Sequence, residues 1–458
     1  MTVGTPARIG GRPDNRLDYA DQVMFLNQIA TGQEAVCQLV WVYRRAVDLD
    51  AVKRFYRRFG QGIYGRLIER SPLPFGRHRW VRCHGPQAPL DIDPPRPPEA
   101  LSDWADERAQ MPIDPERGPG WRMAVLPMTD GSTAVTFVGS HCLGDGVGTF
   151  AAIADAVTGT TRDLGYPPPR SVSRARAAAR DLRETARDLP LVARTLVTAG
   201  RLTWQRRREL LRPVPKPTVA LPSDADEAIT VPAASVYIDL AAWDARAESL
   251  GGNAHSMMAG FAARLADRIG RRRAADGAVT LNIPISDRAG EQDTRANAVL
   301  LTNISIDPTV VTTDLGPARA AIREGLRAAR ETPDEMLQLL PLAPFIPKRA
   351  VRQGGNAVFG FVDDLPVSCS NLGDVDPTVT RIDGTPADFL MLRGVDRHVT
   401  RRFLETRPGL LTVVGGRIAP QMSITVVGYH PGAPNTKPWL REQIAAALAD
   451  FDLSGVIH

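Results

Sequence analysis

The most informative part of this chain is a polar stretch, Ser140-His141-Cys142-Leu143-Gly144-Asp145-Gly146, with the pattern H-x-x-x-D-G. An apolar run at 134–139 predicts a buried strand before it, and the residues after it predict a helix. Ligand sites of α/β proteins tend to lie at such strand ends. His141 can take up a proton near neutral pH, because an imidazole has an ordinary pKa of about 6.5. We expect Asp145 to fix the turn or pair with a cation, and Gly146 to allow a close approach or a positive φ.

Strands and helices alternate on both sides of this stretch. In the first half, the hydrophobic pattern predicts helices over 17–28, 49–69 and 147–157, and strands over 35–43, 121–128 and 132–139. In the second half, it predicts strands near 235–240, 278–285, 298–306, 357–362, 388–392, 410–415 and 423–429, and helices near 240–250, 254–271, 317–330 and 437–451. These elements imply an α/β (α+β) fold of two lobes, each a mixed sheet packed with helices.

The stretch between the two halves has a different composition. We expect a first lobe at 1–165, a connector at 166–234 and a second lobe at 235–458. The connector is basic, helical and proline-rich, and we expect its helix to be interrupted at Pro190.

Positive charge is concentrated in that connector. The chain has a net charge of +5, but residues 170–216 alone hold 13 Lys or Arg against 4 Asp or Glu. Such a local excess argues against general nucleic-acid binding, which needs a basic folded face. Two interpretations stay open: a solvated connector, or a surface for anionic lipid, for the phosphates of CoA or for an acidic carrier protein.

The remaining composition is that of an ordinary globular protein. Of the 458 residues, 43% are hydrophobic and 23% are charged, and no apolar run is long enough to span a membrane. The four cysteines lack metal-site spacing, so we expect no metal. Without an apolar leader in its first residues, the chain is expected to be cytoplasmic, with peripheral membrane contact through 170–216 as an added expectation.

The motif resembles that of the chloramphenicol-acetyltransferase-like superfamily. This superfamily includes the condensation domains of peptide synthetases and the bacterial wax ester synthase/diacylglycerol acyltransferases. Its members carry HHxxxDG after a strand of the first lobe, and the second His is the general base. His141 matches that base, and Ser140 replaces the first His, which has a supporting role. The resemblance covers about residues 17–452 and implies a pseudo-dimer of two lobes with a tunnel between them.

Other segments resemble the superfamily in the same order. Residues 282–288 resemble a strand-end motif that closes with Arg, which implies an ion pair between Arg288 and Asp145. Residues 295–300 resemble the following "GN" segment, with Ala296 in place of Gly and with Asn297 retained as a supporting residue. Ser370 and Asn371 begin a segment that resembles "SN-x-x-G", and they are candidates for the oxyanion site or the tunnel wall. The resemblance extends to an opening helix at 21–26 and a closing hairpin at 409–429.

The activity implied is acyl transfer. A thioester donor, acyl-CoA or the phosphopantetheine of an acyl carrier protein, would be a co-substrate, and no bound cofactor is expected. The acceptor would be a hydroxyl or amine of a lipid or secondary metabolite. We expect a monomer, because the two lobes already imitate an oligomer interface. Two alternatives stay open: a free-standing condensation enzyme that uses carrier-protein donors, and a degenerate, non-catalytic binding module, suggested by the missing first His.

Overall fold

Two mixed β-sheets and the helices packed on them make up the protein. The computed structural model describes residues 14–83, 85–205, 226–290, 293–331, 335–347 and 365–458. Within these ranges, no helix is both long enough and apolar enough to cross a membrane.

The first sheet has five strands. They are β1 (Glu34–Tyr43), β4 (Asp91–Ile92), β5 (Trp121–Pro127), β6 (Thr133–Ser140) and β11 (Phe389–Arg397). Their order is β11-β1-β6-β5-β4, and β1 is antiparallel to both β6 and β11. A separate antiparallel pair is formed by β2 (Arg66–Glu69) and β3 (Arg79–Arg82). The helices of this half are α1 (Tyr19–Thr31), α2 (Leu49–Phe59), α3 (Leu101–Ala109), α4 (Gly146–Thr158) and α5 (Arg174–Gln205).

The second sheet has seven strands. They are β7 (Ala233–Asp239), β8 (Val279–Ser286), β9 (Val299–Ile306), β10 (Val367–Asp374), β12 (Leu410–Ile418), β13 (Gln421–Tyr429) and β14 (Val456–Ile457). Their order is β14-β7-β13-β12-β10-β8-β9, with β10 parallel to both β8 and β12. The helices are α6 (Leu240–Ser249), α7 (Ala254–Arg268), α8 (Gly316–Glu331), α9 (Glu335–Gln338), α10 (Arg401–Thr406) and α11 (Lys437–Ala449). Short 3₁₀ turns lie at Pro98–Ala100, Leu340–Phe345 and Pro377–Thr380.

Each sheet has its own hydrophobic core. In the first lobe, Phe59 stacks on Tyr64, and the edges of the Trp121 and Phe137 rings meet Phe59 at centroid distances of 5.0 and 5.1 Å. In the second lobe, α7 is buried along nearly its whole length against the sheet, after a capping box at Asn253 fixes its start. The expected fold class, two α/β lobes with mixed sheets, is confirmed.

One strand crosses between the lobes. In the sequence, β11 comes after four strands of the second sheet, β7 to β10. It nevertheless pairs with β1 of the first sheet, across nine residue pairs from Glu34↔Arg397 to Val42↔Phe389. A division at 235 by chain position therefore does not describe this strand. The connector boundary also shifts slightly, because β7 begins at Ala233.

Two helix predictions were wrong in part. The helix predicted over 49–69 ends at Phe59, and residues 66–69 form β2 instead. Gly60 and Gly65 explain the break, since a Cβ on Gly65 would lie 2.5 Å from the Gly60 carbonyl oxygen. α5 runs through Pro190 without interruption. Pro190 is exposed, so water can hydrate the carbonyl that loses its helical partner. The strand predicted over 357–362 lies outside the described residues.

Candidate active site

His141 lies at the carboxyl end of β6, the central strand of the first sheet. It directly follows β6, and its backbone N–H donates to the Ala35 carbonyl at 3.0 Å, which continues the pairing with β1. On the other side of β1, Ala35 is the cross-strand partner of Asp396 in β11. Because cross-strand partners share a face, the side chains of His141, Ala35 and Asp396 lie in one row across three strands. Strand spacings place the first and last of these Cα atoms about 10 Å apart.

The next row of residues along these strands explains why there is open space beside His141. Cys37 in β1 pairs with Gly139 on one side and with Gly394 on the other. A Cβ added at Gly394 would meet no atom within 4 Å, so open space lies above it. The next row, Leu39 with Phe137 and Leu392, belongs to the packed core. Along this face of the sheet, the packed core at Leu39 thus gives way to small residues with open space above them, next to the imidazole.

The charges around His141 favour its protonated form. Burial disfavours the imidazolium, but the Cys37 side chain and the Asp145 carboxylate outweigh this effect and raise the pKa of His141 to about 10. The imidazole also lies against its own backbone carbonyl, which acts in the same direction. Part of the His141 surface stays accessible although protein surrounds the ring, which fits a side chain facing an internal space.

Asp396 is a second acidic group of this space. Burial raises the pKa of its carboxyl, while His141 and Arg407 act in the opposite direction. The residue as a whole is exposed, although protein lies close enough around its carboxyl to raise that pKa. Among the described residues, no donor forms a hydrogen bond or ion pair with this carboxylate. Its charge is therefore available to a ligand.

Asp145 has the opposite surroundings. Arg288 Nη2 donates to both carboxylate oxygens at 2.9 and 2.8 Å, which is the ion pair that the resemblance implies. The same carboxylate accepts from Gly148 N–H at 2.7 Å as the N-cap of α4, and from Ala298 N–H at 3.0 Å. Asp145 thus both caps the turn and pairs with a cation. It connects the loop of His141 to the second lobe.

A second polar cluster joins the lobes on the other side of the loop. Asn297 Nδ2 donates to the His141 carbonyl and to Asp21 Oδ1, each at 3.1 Å. Asp21, buried in α1, also accepts from the backbone N–H groups of Ala296 and Asn297. Burial raises its pKa to about 6, with Arg66 and Asn297 acting in the opposite direction. The backbone of His141 is therefore fixed by contacts from both lobes.

Ser140 and Gly146, at the two ends of the motif, have structural surroundings of their own. Ser140 is buried on the opposite face of β6, and its Oγ accepts from the Cys142 N–H at 3.3 Å. Gly146 does not take a positive φ. Its small size matters instead, because a Cβ there would lie 2.9 Å from Leu372 Cδ2 of the second lobe.

Ser370 and Asn371 lie in β10, next to Leu372 and hence close to the start of α4. Asn371 Oδ1 accepts from the Gly373 N–H at 2.9 Å, so its Nδ2 group is the one oriented for other acceptors. Within the described ranges, neither side chain forms a hydrogen bond with His141. Their role in an oxyanion site stays a prediction.

Three site residues are absent from the sequence-based prediction: Cys37, Asp396 and Asp21. Cys37 and Asp396 reach the site only through strand pairing between distant parts of the chain. The alternation of β1 signals that Ala35 and Cys37 share a face, but it does not identify the strand opposite them. Asp21 lies in the opening helix that already resembles the superfamily, and a carboxylate on its packed face was a usable signal.

The two lobes, the shared strand β11 and the position of His141 define the fold class. The same fold is found in the first condensation domain of the CDA synthetase and in a wax ester synthase/diacylglycerol acyltransferase. The chain is similar to the first condensation domain of the CDA synthetase, with 13% identity, a TM-score of 0.55 and coverage of 97% of this chain and 99% of that one. It is also similar to the wax ester synthase/diacylglycerol acyltransferase from Marinobacter aquaeolei VT8, with 13% identity, a TM-score of 0.52 and coverage of 95% and 98%.

The likeness extends to larger proteins. A nonribosomal peptide synthetase shares 17% identity at a TM-score of 0.53, over 98% of this chain and 43% of its own. The chain thus spans less than half the length of that synthetase. No protein-family model and no curated protein matches the sequence.

Proposed function

We propose that this protein is an acyltransferase that moves an acyl group from acyl-CoA to a hydroxyl or amine of a lipid or secondary-metabolite acceptor. The observation that carries the proposal is the placement of His141: its side chain is partly accessible, and contacts from both lobes fix its backbone. The likeness in fold to condensation domains and to a wax ester synthase supports the same class of reaction.

The reaction begins when His141, in its unprotonated form, takes the proton from the acceptor hydroxyl or amine. The acceptor oxygen or nitrogen then bonds to the thioester carbonyl carbon, and the resulting oxyanion collapses as the carbon–sulfur bond breaks. The CoA sulfur leaves with the proton from the imidazolium. General-base catalysis of this kind contributes roughly 10²–10⁴-fold, and holding both substrates in one space adds a proximity effect. The Gly146 N–H, Ser370 and Asn371 are our candidates for oxyanion donors.

Asp145 and Arg288 have positioning roles in this scheme. The carboxylate is saturated by Arg288 and backbone donors, so it is not a proton acceptor for the imidazole. It holds the loop between β6 and α4 against the second lobe. Asn297 does the same for the backbone of His141 itself.

Asp396 bears on the class of acceptor. A carboxylate that no described residue binds through a hydrogen bond or ion pair gains most from a ligand that carries a positive charge. It lies in the same row as His141, with only Ala35 between them. We therefore propose that the acceptor carries a cationic group, which Asp396 binds while a neutral hydroxyl or amine reaches His141.

The second candidate is a condensation enzyme that uses acyl-carrier-protein donors, favoured by the likeness to a condensation domain over almost its full length. The test is donor competition. The protein is incubated with an acyl-CoA and with the same acyl group on a phosphopantetheinylated carrier protein, together with alcohol and amine acceptors. Product labelled from the CoA donor supports the first proposal, and product from the carrier alone supports the second. Absence of product from both donors would favour the non-catalytic binding module.

A further inference from the structure

Helix α5 is attached to the first lobe through one face. Its Asp181 accepts from Arg79 Nη2 at 2.7 Å and from Ser71 Oγ at 2.6 Å. Glu184 pairs with the same Arg79, and Asp188 lies 3.5 Å from Arg16. Further along, Val192 and Thr195 are buried on this face. These three carboxylates are the only acidic residues of α5, so the docked face holds all of its negative charge.

The free face of α5 carries a line of apolar side chains. Leu182, Leu189 and Leu196 follow one another at intervals of seven residues, which puts them on one side of a helix. Their exposed fractions are 57%, 52% and 57%, and Val197 beside them is 75% exposed. Large apolar side chains along such a length are unusual on a surface that meets only water.

A line of arginines runs beside the leucines. Arg183, Arg187, Arg194 and Arg201 are exposed, and at 100° per residue they lie between the apolar line and the docked face. Within the described part of the chain, none of the four forms an ion pair. The free face therefore combines exposed apolar groups with unpaired positive charge, and it carries no acidic residue.

We propose that this free face, defined by Leu182, Leu189, Leu196 and the four arginines, binds the surface of an anionic lipid bilayer. An interfacial helix buries its apolar side in the acyl boundary while its cationic side contacts lipid phosphates. From Leu182 to Arg201 the face is about 29 Å long, and a fluid bilayer can meet all of it at once. An acidic protein surface satisfies the arginines but not the apolar line. The proposal is independent of the reaction at His141.

Vesicle flotation tests this proposal with the full chain. Vesicles of phosphatidylcholine are compared with vesicles that also contain phosphatidylglycerol, at low and at high salt. We expect binding to the anionic vesicles that falls as salt rises, because screening weakens contacts between exposed charges. The triple variant Arg183→Gln, Arg187→Gln, Arg194→Gln should bind these vesicles more weakly by on the order of 100-fold. The variant Leu182→Ser, Leu189→Ser, Leu196→Ser should lose binding as well.

Matched controls use exposed residues elsewhere. The pair Arg323→Gln, Arg330→Gln on α8 and the substitution Ile92→Ser remove similar exposed groups outside α5 and should leave binding unchanged. The proposal is overturned if the protein does not float with anionic vesicles, or if the α5 variants bind as the wild type does. It is also overturned if sedimentation shows that the wild type is a dimer and that the triple Leu→Ser variant is a monomer, since a second copy would then cover the face.

Discussion

Two carboxylates near His141, Asp145 and Asp396, have opposite environments. Asp145 accepts from Arg288 and from two backbone N–H groups, and it connects two lobes. Asp396 lies in the same row as the imidazole and forms no hydrogen bond or ion pair with the described residues, although the charges of His141 and Arg407 act on it. A carboxylate whose oxygens are all occupied by protein donors stabilises structure, whereas a carboxylate without donors is available to a ligand. The difference separates positioning residues from ligand-binding residues in one site.

The largest expected effect comes from Asp145→Ala. The substitution leaves the Arg288 guanidinium buried without its counter-charge, so we expect the free energy of unfolding to fall by about 3–5 kcal/mol. Denaturant unfolding measures this loss. Asp374→Ala is the matched control, because that carboxylate also pairs with an arginine but is 86% exposed, and its loss should be small. Equal, small losses in both variants would reduce Asp145 to an ordinary turn residue.

Asp396→Asn should leave stability intact and weaken binding of the acceptor, the opposite of what we expect for Asp145→Ala. Burial raises the pKa of the Asp396 carboxyl, so its charge destabilises the folded protein increasingly as pH rises through the acid range. We therefore expect the variant to be as stable as the wild type at neutral pH, or more stable. With a cationic acceptor, KM should rise by about tenfold or more, since one charge-assisted contact is lost.

A neutral acceptor of similar shape is the control for Asp396→Asn, and its KM should not change. If KM rises equally for both acceptors, Asp396 shapes the site without recognising charge. If the variant is strongly destabilised, the carboxylate has protein partners in solution, and the comparison with Asp145 fails.

Cys37→Ala sharpens the account of His141 itself. The Cys37 side chain is one of the groups that raise the pKa of His141 to about 10, and removing it should lower that pKa. Because the base must be unprotonated, kcat/KM should rise with pH in the wild type. In the variant, this rising limb of the pH profile should lie at lower pH. Cys142→Ala is the control, since that thiol is buried and contacts Gln28 instead. A limb that moves equally in both variants, or in neither, would remove Cys37 from this role.

Local sequence determined most of the fold. The hydrophobic periods of the strands and helices and the H-x-x-x-D-G loop located the two lobes, and α7 or α11 could be identified from apolar spacing alone. The end of α2 was misplaced because its apolar spacing continues past Gly60, where the close approach of Gly65 ends the helix. Pro190 was overestimated as a helix breaker, because its exposure could not be known in advance.

The site itself was only partly predictable. His141, Asp145 and Gly146 are adjacent in sequence, and Arg288 and Asn297 were accessible through resemblance. Asp396 and Cys37 were not, because their proximity to His141 depends on β11 crossing to the first lobe. A period of two places residues on a face, but it does not specify which strand lies alongside.

The central claim is that His141 is the general base, and free-thiol release tests it most directly. Acyl-CoAs are supplied with alcohol and amine acceptors, and thiol release is compared for the wild type, His141→Ala and the exposed control His255→Ala. We predict acceptor-dependent release that His141→Ala lowers by roughly 10²–10⁴-fold, while His255→Ala retains it. Acceptor-dependent release that persists at the wild-type rate in folded His141→Ala would contradict the account.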